Sequence, residues 1–372
     1  MKLTINPIET AKRIKKAERV IQGKSIYPIL DNFLISVKSN CCTVTSSDGE
    51  IQLSLILPII SSDCDFDFCA DAKKFSAIMS TIKYGDASIE IEKGEVLFKH
   101  KKGKIAIPCV DAKDYPLISL GEQSMSTMVD ARELFTAVYG TAYACSTDDL
   151  RPQLNGVYFD FVEDGYYTVS TDTHKLVKIK NHDKRGEQID SFIMPNKVAN
   201  IVEPLIESIN DDVVVSNNGS LGEIVAKNDF RLTFKQASGK YPNYNAVFPK
   251  ELKDFAIVEK NELIESLRRV LLAASQQVGC VVFKFENNEI HLSSRDLDYN
   301  TSAEEVVSCE YAGAPINIAF NGNDLLTILS NLHVSDGLFK VFLFDSAKAI
   351  VISPNSNDDT KTQALLMPMY ME

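Results

Sequence analysis

Ser170, Asp172 and His174 lie within five positions of one another and offer a hydroxyl, a carboxylate and an imidazole. These are the parts of a nucleophilic hydrolase, in which a histidine base activates a serine and a carboxylate orients the histidine. The sequence has no Gly-x-Ser-x-Gly turn, no phosphate-binding loop and no regularly spaced metal ligands. Whether the segment performs chemistry therefore depends on the element that carries it.

That element occurs three times in the chain. Each copy is an alternating strand, a polar turn and a second strand that ends in Ser-x-Asp. The closing residues Asp48, Asp172 and Asp296 lie 124 residues apart each time. Only the middle copy has a histidine beside the Ser-x-Asp motif, so a catalytic triad is not a property of the repeat. The pattern favours a structural role for the aspartates, because short carboxylates bond backbone amides at strand ends.

Segments with helical periodicity lie on both sides of each hairpin, with apolar residues at i, i+3 and i+4. The first helices are predicted at residues 7–22, 131–145 and 261–275. The second helices are predicted at residues 72–82, 196–209 and 322–332. Pro204 should kink or shorten the middle member of the second set. Further alternating segments predict about eight strands in each repeat.

These repeats predict an α+β fold of three similar domains, each with two helices against antiparallel sheets. The predicted boundaries are 1–122, 123–248 and 249–372. The chain has 372 residues and is 45% hydrophobic, which is enough for each domain to bury a core.

The net charge of −12 argues against a nucleic-acid binder, unless the basic residues share one surface. The predicted helices do concentrate basic residues, namely Lys12, Arg13, Lys15, Lys16, Arg19, Lys73, Lys74, Lys197 and Arg268. A solvated helix face would look the same, so charge alone leaves both interpretations open.

A closed ring would give these helices a common surface. Two helices from each of six domains, each about 10 Å wide, would line a hole on the order of 35–40 Å across. Three repeats per chain would make such a ring a two-fold dimer. A ring holds duplex DNA by topology and needs only weak, sequence-independent phosphate contacts.

Cysteine usage and hydropathy narrow the class of protein further. The eight cysteines form no Cys-x-x-Cys pair, and no Cys/His pair has zinc spacing. No apolar run approaches 18 residues, and no leader precedes the first helix. We therefore expect a cytoplasmic protein with reduced thiols and no metal or other cofactor.

Five segments along the chain resemble those of one known family. They are Tyr27–Leu34 (YPILDNFL), Arg151–Gly156 (RPQLNG), Ser170–Leu176 (STDTHKL), Tyr241–Pro249 (YPNYNAVFP) and Leu366–Met369 (LMPM). In this order, and on this repeat, they resemble the bacterial sliding clamp, the beta subunit of DNA polymerase III. The resemblance implies a non-catalytic processivity factor, a head-to-tail homodimeric ring of six domains that encircles duplex DNA.

The resemblance also implies a site where the replicative polymerase, the clamp loader and repair proteins dock short peptides. Such peptides have glutamine and leucine or phenylalanine anchors. The corresponding residues are Leu154, Thr171, Thr173, His174, Lys175, Leu176, Pro242, Val247, Asn321, Leu365, Met367, Pro368 and Met369. Methionine and leucine provide adaptable apolar walls, which suits a site with several partners.

The resemblance adds two DNA contacts and a subunit joint. It assigns Lys24 and Arg151 to DNA binding, and it places Ile105 and Ile107 of an edge strand against Leu271 and Leu272 of a second copy. Apolar residues on an edge strand need a cover, which a partner subunit can supply.

Four positions depart from the family pattern and concern peptide preference. Glycine is common where this chain has Thr173, arginine where it has Lys175, and tyrosine where it has Asp324. After Met369 the tail continues with Tyr370, where arginine is common. Lysine keeps the positive charge but lacks the planar fork of arginine.

Three functional hypotheses follow: a clamp that encircles DNA, an enzyme that uses Ser170, Asp172 and His174 or a cysteine, and a clamp-like adaptor that binds partners without loading on DNA. Normal clamp function in a His174→Ala variant would exclude the enzyme hypothesis. Reversal of the helix charges discriminates the clamp from the adaptor.

Overall fold

The computed structural model describes residues 1–21, 23, 25–182, 185–186, 189–356 and 361–370. The chain divides into two compact units. Unit 1 comprises Met1–Phe135 and Lys184–Gln236, and unit 2 comprises Thr136–Asp183 and Ala237–Glu372. The described residues form six α-helices and 26 strands, so the predicted α+β class is confirmed.

Unit 1 contains two antiparallel sheets. The strands of the smaller sheet are β1 (Lys2–Ile5), β5 (Ile59–Ser62), β7 (Ala87–Glu92), β8 (Glu95–His100) and β9 (Gly103–Pro108). The strands of the larger sheet are β2 (Asn32–Lys38), β3 (Cys41–Ser47), β4 (Ile51–Leu57), β6 (Phe66–Asp71), β10 (Met125–Asp130), β14 (Arg185–Gly186), β16 (Asp212–Asn217), β17 (Leu221–Ala226) and β18 (Phe230–Lys235). Their orders are β5-β1-β7-β8-β9 and β14-β10-β16-β17-β18-β4-β3-β2-β6.

Unit 2 contains most of the remaining strands. They are β11 (Gly156–Val162), β12 (Gly165–Thr171), β13 (Lys175–Asn181), β19 (Phe255–Glu259), β20 (Cys280–Glu286), β21 (Glu289–Asp296), β22 (Thr301–Tyr311), β23 (Ile316–Asn321), β24 (Leu338–Phe342), β25 (Ile350–Pro354) and β26 (Thr362–Leu366). They follow one another in the hydrogen-bonded order β11-β12-β13-β26-β25-β24-β19-β22-β21-β20-β23.

Helices flank these strands. Unit 1 has α1 (Pro7–Glu18), α2 (Ala72–Thr81) and α4 (Asn196–Ile206), the last preceded by strand β15 (Phe192–Pro195). Unit 2 has α5 (Lys260–Leu271) and α6 (Gly322–Asn331), and α3 (Ala131–Ala142) spans the boundary between the two sets of residues. Pro204 lies inside α4, which ends at Ile206 and not at residue 209, so the predicted shortening is confirmed.

Helix beginnings match the sequence prediction better than helix ends. The Asn6 side chain caps α1 by accepting hydrogen bonds from the amides of Ile8 and Glu9, and Pro7 takes the first helical position. The predicted helix 7–22 was too long, because the chain after Glu18 tightens into turns with i→i+3 hydrogen bonds. The predicted ends at residues 145 and 275 were too late for the same reason.

The three predicted hairpins form as β2–β3, β11–β12 and β20–β21. Gly165 is required in the middle hairpin. Its φ is +142°, and a Cβ atom there would lie 2.1 Å from the backbone oxygen of Asn181. This glycine lets β12 run beside β13 toward the Ser170–Leu176 turn.

Strand pairing continues from one repeat into the next. In unit 1, β18 pairs with β4, with Phe230 opposite Leu55. In unit 2, β13 pairs with β26, with Leu176 opposite Leu365. The middle repeat therefore contributes to both compact units, which sequence periodicity did not predict.

The core of unit 2 positions the elements around the turn. The stripe of α5 predicted to be apolar is buried at Leu263, Leu267 and Val270, and it packs in one cluster with Val177 of β13 and Phe320 of β23. Each such side chain stabilises the fold by about 1.5–3 kcal/mol. The cluster fixes β13, β23 and β26 against one another.

Candidate functional site

The three strand-end aspartates make the same backbone contacts. Through Oδ1, each of Asp48, Asp172 and Asp296 accepts hydrogen bonds from the amides two and three residues ahead, at 2.7–3.2 Å. The structural role predicted from the repeat is therefore confirmed.

The hydrolase hypothesis finds no support in the geometry of the turn. Ser170 is fully buried and its Oγ lies 3.5 Å from the Cys145 thiol. Both oxygens of Asp172 are engaged, one by backbone amides and the other by the Lys175 ammonium. Burial raises the pKa of the Cys145 thiol to about 12, so this cysteine is a poor nucleophile.

The C-terminal strand brings the tail to the turn. Because β13 pairs with β26, Lys175 lies opposite Leu366 and Leu176 opposite Leu365. The Met367 amide continues this pairing by donating a 2.9 Å hydrogen bond to the His174 carbonyl oxygen. Residues almost 200 positions apart in the predicted peptide site are therefore neighbours.

The tail also contacts the third repeat. The Met369 amide donates a 2.7 Å hydrogen bond to the Ala319 carbonyl oxygen of β23. That strand ends at Asn321, whose Oδ1 accepts hydrogen bonds from the amides of Asn323 and Asp324 and so caps α6. The predicted site residue Asn321 thus holds the helix beginning next to the tail.

Lys175 connects the turn to α6 through an ionic cluster. Its ammonium bonds Asp172 within the turn and Asp324 of the helix, the latter at 2.8 Å. Burial lowers the pKa of Lys175, but the two carboxylates outweigh it and leave the pKa raised. Burial likewise opposes ionisation of Asp172, and hydrogen bonds from Lys175 and His174 leave the pKa of Asp172 lowered.

Thr173 has a strained backbone at the tip of the turn. Its φ is +83°, a region that β-branched residues rarely adopt. The Thr173 amide donates a hydrogen bond to Thr171 Oγ1, whose hydroxyl bonds the Lys175 carbonyl oxygen at 2.7 Å. These contacts hold the turn closed despite the strain.

Two tyrosines anchor the segment that carries Pro242 and Val247. Tyr241 stacks on Tyr158 at 4.5 Å between ring centres, and its hydroxyl donates to the Val169 carbonyl oxygen. The Tyr244 hydroxyl donates to Asp160 at 2.7 Å. Both contacts attach the segment to the β11–β12 hairpin.

The predicted peptide residues divide by exposure. The buried members are Leu154, Thr171, Leu176 and Leu365. The exposed members are Thr173, His174, Pro242, Val247 and Met367, and those of intermediate exposure are Lys175, Asn321, Pro368 and Met369. Direct hydrogen bonds or strand pairing connect the turn, tail and α6 members. Leu154, Pro242 and Val247 belong to segments attached to β11 and β12.

The predicted DNA-binding residues of α1 differ in their exposure and in the ion pairs that their charged groups already make. Both terminal nitrogens of Arg13 bond the Asp229 carboxylate, at 2.8 and 2.7 Å, so this guanidinium is already engaged within unit 1. Lys12 pairs with Glu9 on the helix surface, and Lys15 is exposed. Burial lowers the pKa of Lys16.

The other predicted DNA contacts are dispersed. Lys73 and Lys74 of α2 and Arg268 of α5 are exposed, as is Arg19 just after α1. Lys197 pairs with Asp48, and Arg151 pairs with Asp148 at 2.8 Å. Lys24 lies outside the described residues.

The predicted subunit joint includes two exposed apolar residues. Ile105 on the edge strand β9 is 36% exposed and Leu272 is 86% exposed, whereas Ile107 is buried and Leu271 packs partly against the core. The strand β22 was not among the predicted elements. Its long alternating pattern (TSAEEVVSCEY) could have identified it as a strand.

A separate cleft of about 380 Å³ lies in unit 1 and contains none of the predicted peptide residues. Its apolar side includes Ile21, Ile26, Tyr27 and Leu30, and its polar side includes Asp48 and Lys197.

Comparison with known families accounts for nearly the whole chain. Models of the N-terminal, central and C-terminal domains of the DNA polymerase III beta subunit match residues 1–119, 128–243 and 245–370, respectively. The chain belongs to the bacterial sliding-clamp family. It therefore consists of three clamp domains, as the internal repeat predicted.

Full-length relatives and solved structures agree with this assignment. The beta sliding clamps of Synechococcus elongatus and Caulobacter vibrioides are 24% and 25% identical to this clamp, over 99–100% of each chain. A Pseudomonas aeruginosa DnaN sliding clamp bound to griselimycin has a TM-score of 0.93 at 21% identity, with full coverage of both chains. DNA polymerase III beta subunit from Thermotoga maritima has a TM-score of 0.90 at 22% identity, also with full coverage. These structures share the fold of this chain.

The family is a non-catalytic processivity factor, so this clamp is not an enzyme. In the described part of the chain, no helix is both long and apolar enough to cross a membrane. The same residues hold no group of three histidine, cysteine, aspartate or glutamate side chains suited to a metal ion.

Proposed function

We propose that this clamp closes head to tail into a homodimeric ring of six domains, encircles duplex DNA in the cytoplasm and tethers partner proteins through the peptide site of unit 2. The match of three clamp-domain models along the whole chain carries this proposal. We retain the domain boundaries 1–122, 123–248 and 249–372 as part of it.

Two strand edges support the dimer. The strand β9 lies at the edge of its sheet, and residues 103–106 are exposed. In β22, Thr301–Ser308 pair with β21, whereas only residues 309–311 pair with β19. Among the described residues, no strand pairs with the other side of the segment 301–308, and Val306 there is 51% exposed.

The charges of these two edges are complementary. Lys101, Lys102 and Lys104 lie in or beside β9, and Glu304 lies in the open part of β22 next to Glu305, which already binds Arg269 at 2.8 Å. A β9 edge from one copy and a β22 edge from another would pair by backbone hydrogen bonds and oppose unlike charges. Ile105, Ile107, Leu271 and Leu272 would supply the apolar part of this joint.

Sedimentation of the intact chain tests the ring. We expect a dimer at micromolar concentration, and a monomer when Lys104→Glu and Ile105→Asp are combined. Lys38→Glu, an exposed lysine on β2, is the matched control and should leave the dimer intact. A monomeric wild-type chain at these concentrations would overturn the ring.

Retention of the clamp on circular DNA tests whether the basic residues of α1 contact DNA. Reversal of Lys12, Lys15 and Lys16 to glutamate should shorten retention and reduce its salt dependence, because each lost phosphate contact removes a released counterion. Arg13 is omitted because it binds Asp229. Unchanged retention would refute the assignment of α1 to DNA, and a chain that binds peptides but never loads would favour the adaptor.

Fluorescence anisotropy tests the peptide site. A labelled peptide with glutamine and leucine–phenylalanine anchors should bind in the micromolar range, and binding should be lost when the chain ends before Met367. Met367→Ala provides a milder variant, because its backbone contact with His174 remains. The polymerase, clamp loader and repair proteins would compete for this site.

A further inference from the structure

Lys175 is the one lysine or arginine in the predicted peptide site, and two carboxylates already pair with its ammonium. The ammonium lies between Asp172 and Asp324, and the Lys175 side chain is only 11% exposed. The two aspartate side chains are 19% and 21% exposed, so both carboxylates remain partly accessible.

The cluster has a formal charge of −1, because among the described residues Lys175 is the one ion-pair partner of both Asp172 and Asp324. His174 is exposed but is not held against either carboxylate oxygen that binds Lys175. The amides of Asn323 and Asp324 at the beginning of α6 are already taken by Asn321. A peptide carboxylate placed here would face two carboxylates and an ammonium that cannot turn toward it without breaking an existing pair.

Unit 1 provides an internal contrast at the equivalent turn. There Asp48 pairs with Lys197, so one carboxylate meets one ammonium, and the Lys197 side chain is 40% exposed. The second carboxylate is therefore a feature of the turn in unit 2 and does not follow from the repeat.

We propose that Asp324, by locking Lys175 against Asp172, sets the charge preference of the peptide site, which accepts a neutral or basic residue between the anchors and rejects an acidic one. This inference rests on the proposed peptide site. It makes Asp324 a specificity-determining residue, because the position of the Lys175 ammonium depends on it.

The test uses three labelled peptides that differ only in the residue between the glutamine and the leucine–phenylalanine anchors, which is Glu, Gln or Lys. Anisotropy titrations of the full chain at low salt give three dissociation constants. We expect the Lys peptide to bind roughly three- to tenfold more tightly than the Glu peptide, because the two peptides differ by two unit charges near a cluster of net charge −1. The difference should shrink as salt is added.

Two variants should change the ratio of the Glu-peptide to the Lys-peptide dissociation constant in opposite directions. Asp324→Asn removes one carboxylate and should bring the Lys and Glu peptides to within about twofold of each other. Lys175→Gln leaves two carboxylates without their cation and should enlarge the preference for Lys. Asp345→Asn, which removes the partner of Lys348 on the surface of unit 2, is the matched control and should leave the ratio unchanged.

The outcomes separate this inference from the function on which it rests. If no peptide binds the wild-type chain, the peptide site and this inference both fail. If the peptides bind equally, or if Asp324→Asn leaves the ratio unchanged, only this inference fails. Circular dichroism verifies that each variant is folded, and the conservative Asp324→Asn decides the matter even if Lys175→Gln is unstable.

Discussion

The turn after β3 in unit 1 and the turn after β12 in unit 2 are built alike and connected differently. In both, the closing aspartate uses Oδ1 to cap backbone amides and Oδ2 to bind an ammonium. In unit 1 the lysine, Lys197, comes from a helix of the next repeat. In unit 2 the turn itself supplies Lys175, and the helix supplies a carboxylate, Asp324.

This difference shows which part of the turn the repeat preserves. Backbone capping follows from the strand-end geometry, so it recurs wherever the chain makes the same turn. The ionic partner depends on which side chain the neighbouring helix presents. One repeated structural element can therefore carry two different surfaces, of which we assign only the one in unit 2 to peptide binding.

Single replacements of Lys175 and Lys197 should give the largest difference in stability between the two turns. Lys175→Met leaves Asp172 and Asp324 partly buried and facing each other, and it should lower the free energy of unfolding by about 2–3 kcal/mol. Lys197→Met breaks a more exposed pair and should cost less than about 1 kcal/mol. Urea unfolding followed by circular dichroism measures both, and equal losses would erase the distinction between the turns.

Acidification should distinguish the Asp172 charge from its capping role. Because the folded pKa of Asp172 is lowered, its stabilisation is present above the unfolded value near 3.8 and is lost as pH falls through the folded pKa. We expect Asp172→Asn to cost about 1–2 kcal/mol at pH 7, since a charged hydrogen-bond partner is lost while an amide can still cap. The difference from wild type should vanish as pH falls well below 4. If the stability of Asp172→Asn still differed from that of wild type at low pH, the difference would come from packing and not from charge.

The turn in the third repeat allows the contribution of backbone capping to the free energy of unfolding to be compared with that of the turn in unit 2. Asp296→Ala removes two backbone hydrogen bonds and should cost about 1 kcal/mol. Asp172→Ala removes the same contacts and a lysine partner, so its cost should be clearly larger. Thermal unfolding of the two variants side by side checks this order, which the reverse result would contradict.

Relief of strain at Thr173 should give the smallest effect. Glycine adopts the φ of +83° without steric conflict, so Thr173→Gly should raise stability by up to about 1 kcal/mol, less the entropy that glycine gains in the unfolded chain. Asn287→Gly, at a φ of +50°, is a useful comparison because asparagine tolerates this region and should gain less. A loss of stability in Thr173→Gly would mean that the Thr173 side chain stabilises the turn.

Local patterns in the sequence were sufficient for the repeat, the hairpins and the beginnings of the helices. Asn6 and Pro7 define the beginning of α1 through interactions between near neighbours. The end of that helix was misplaced, because its apolar stripe continues through Val20 and Ile21, which are buried in tight turns beyond the helix. Periodicity reports burial, and burial does not by itself distinguish a helix from the turn that follows it.

The three-fold repeat, the α+β class and the structural role of the Ser-x-Asp turns follow from the sequence, because they depend on patterns and contacts among residues close in the chain. The contact of Arg13 with Asp229, the unpaired side of the described segment 301–308 and the position of Lys175 between Asp172 and Asp324 arise only from the folded arrangement. Lys175 and Asp324 are 149 residues apart. No local pattern encodes such a contact, since it exists only once β13, β26 and α6 are packed around one core.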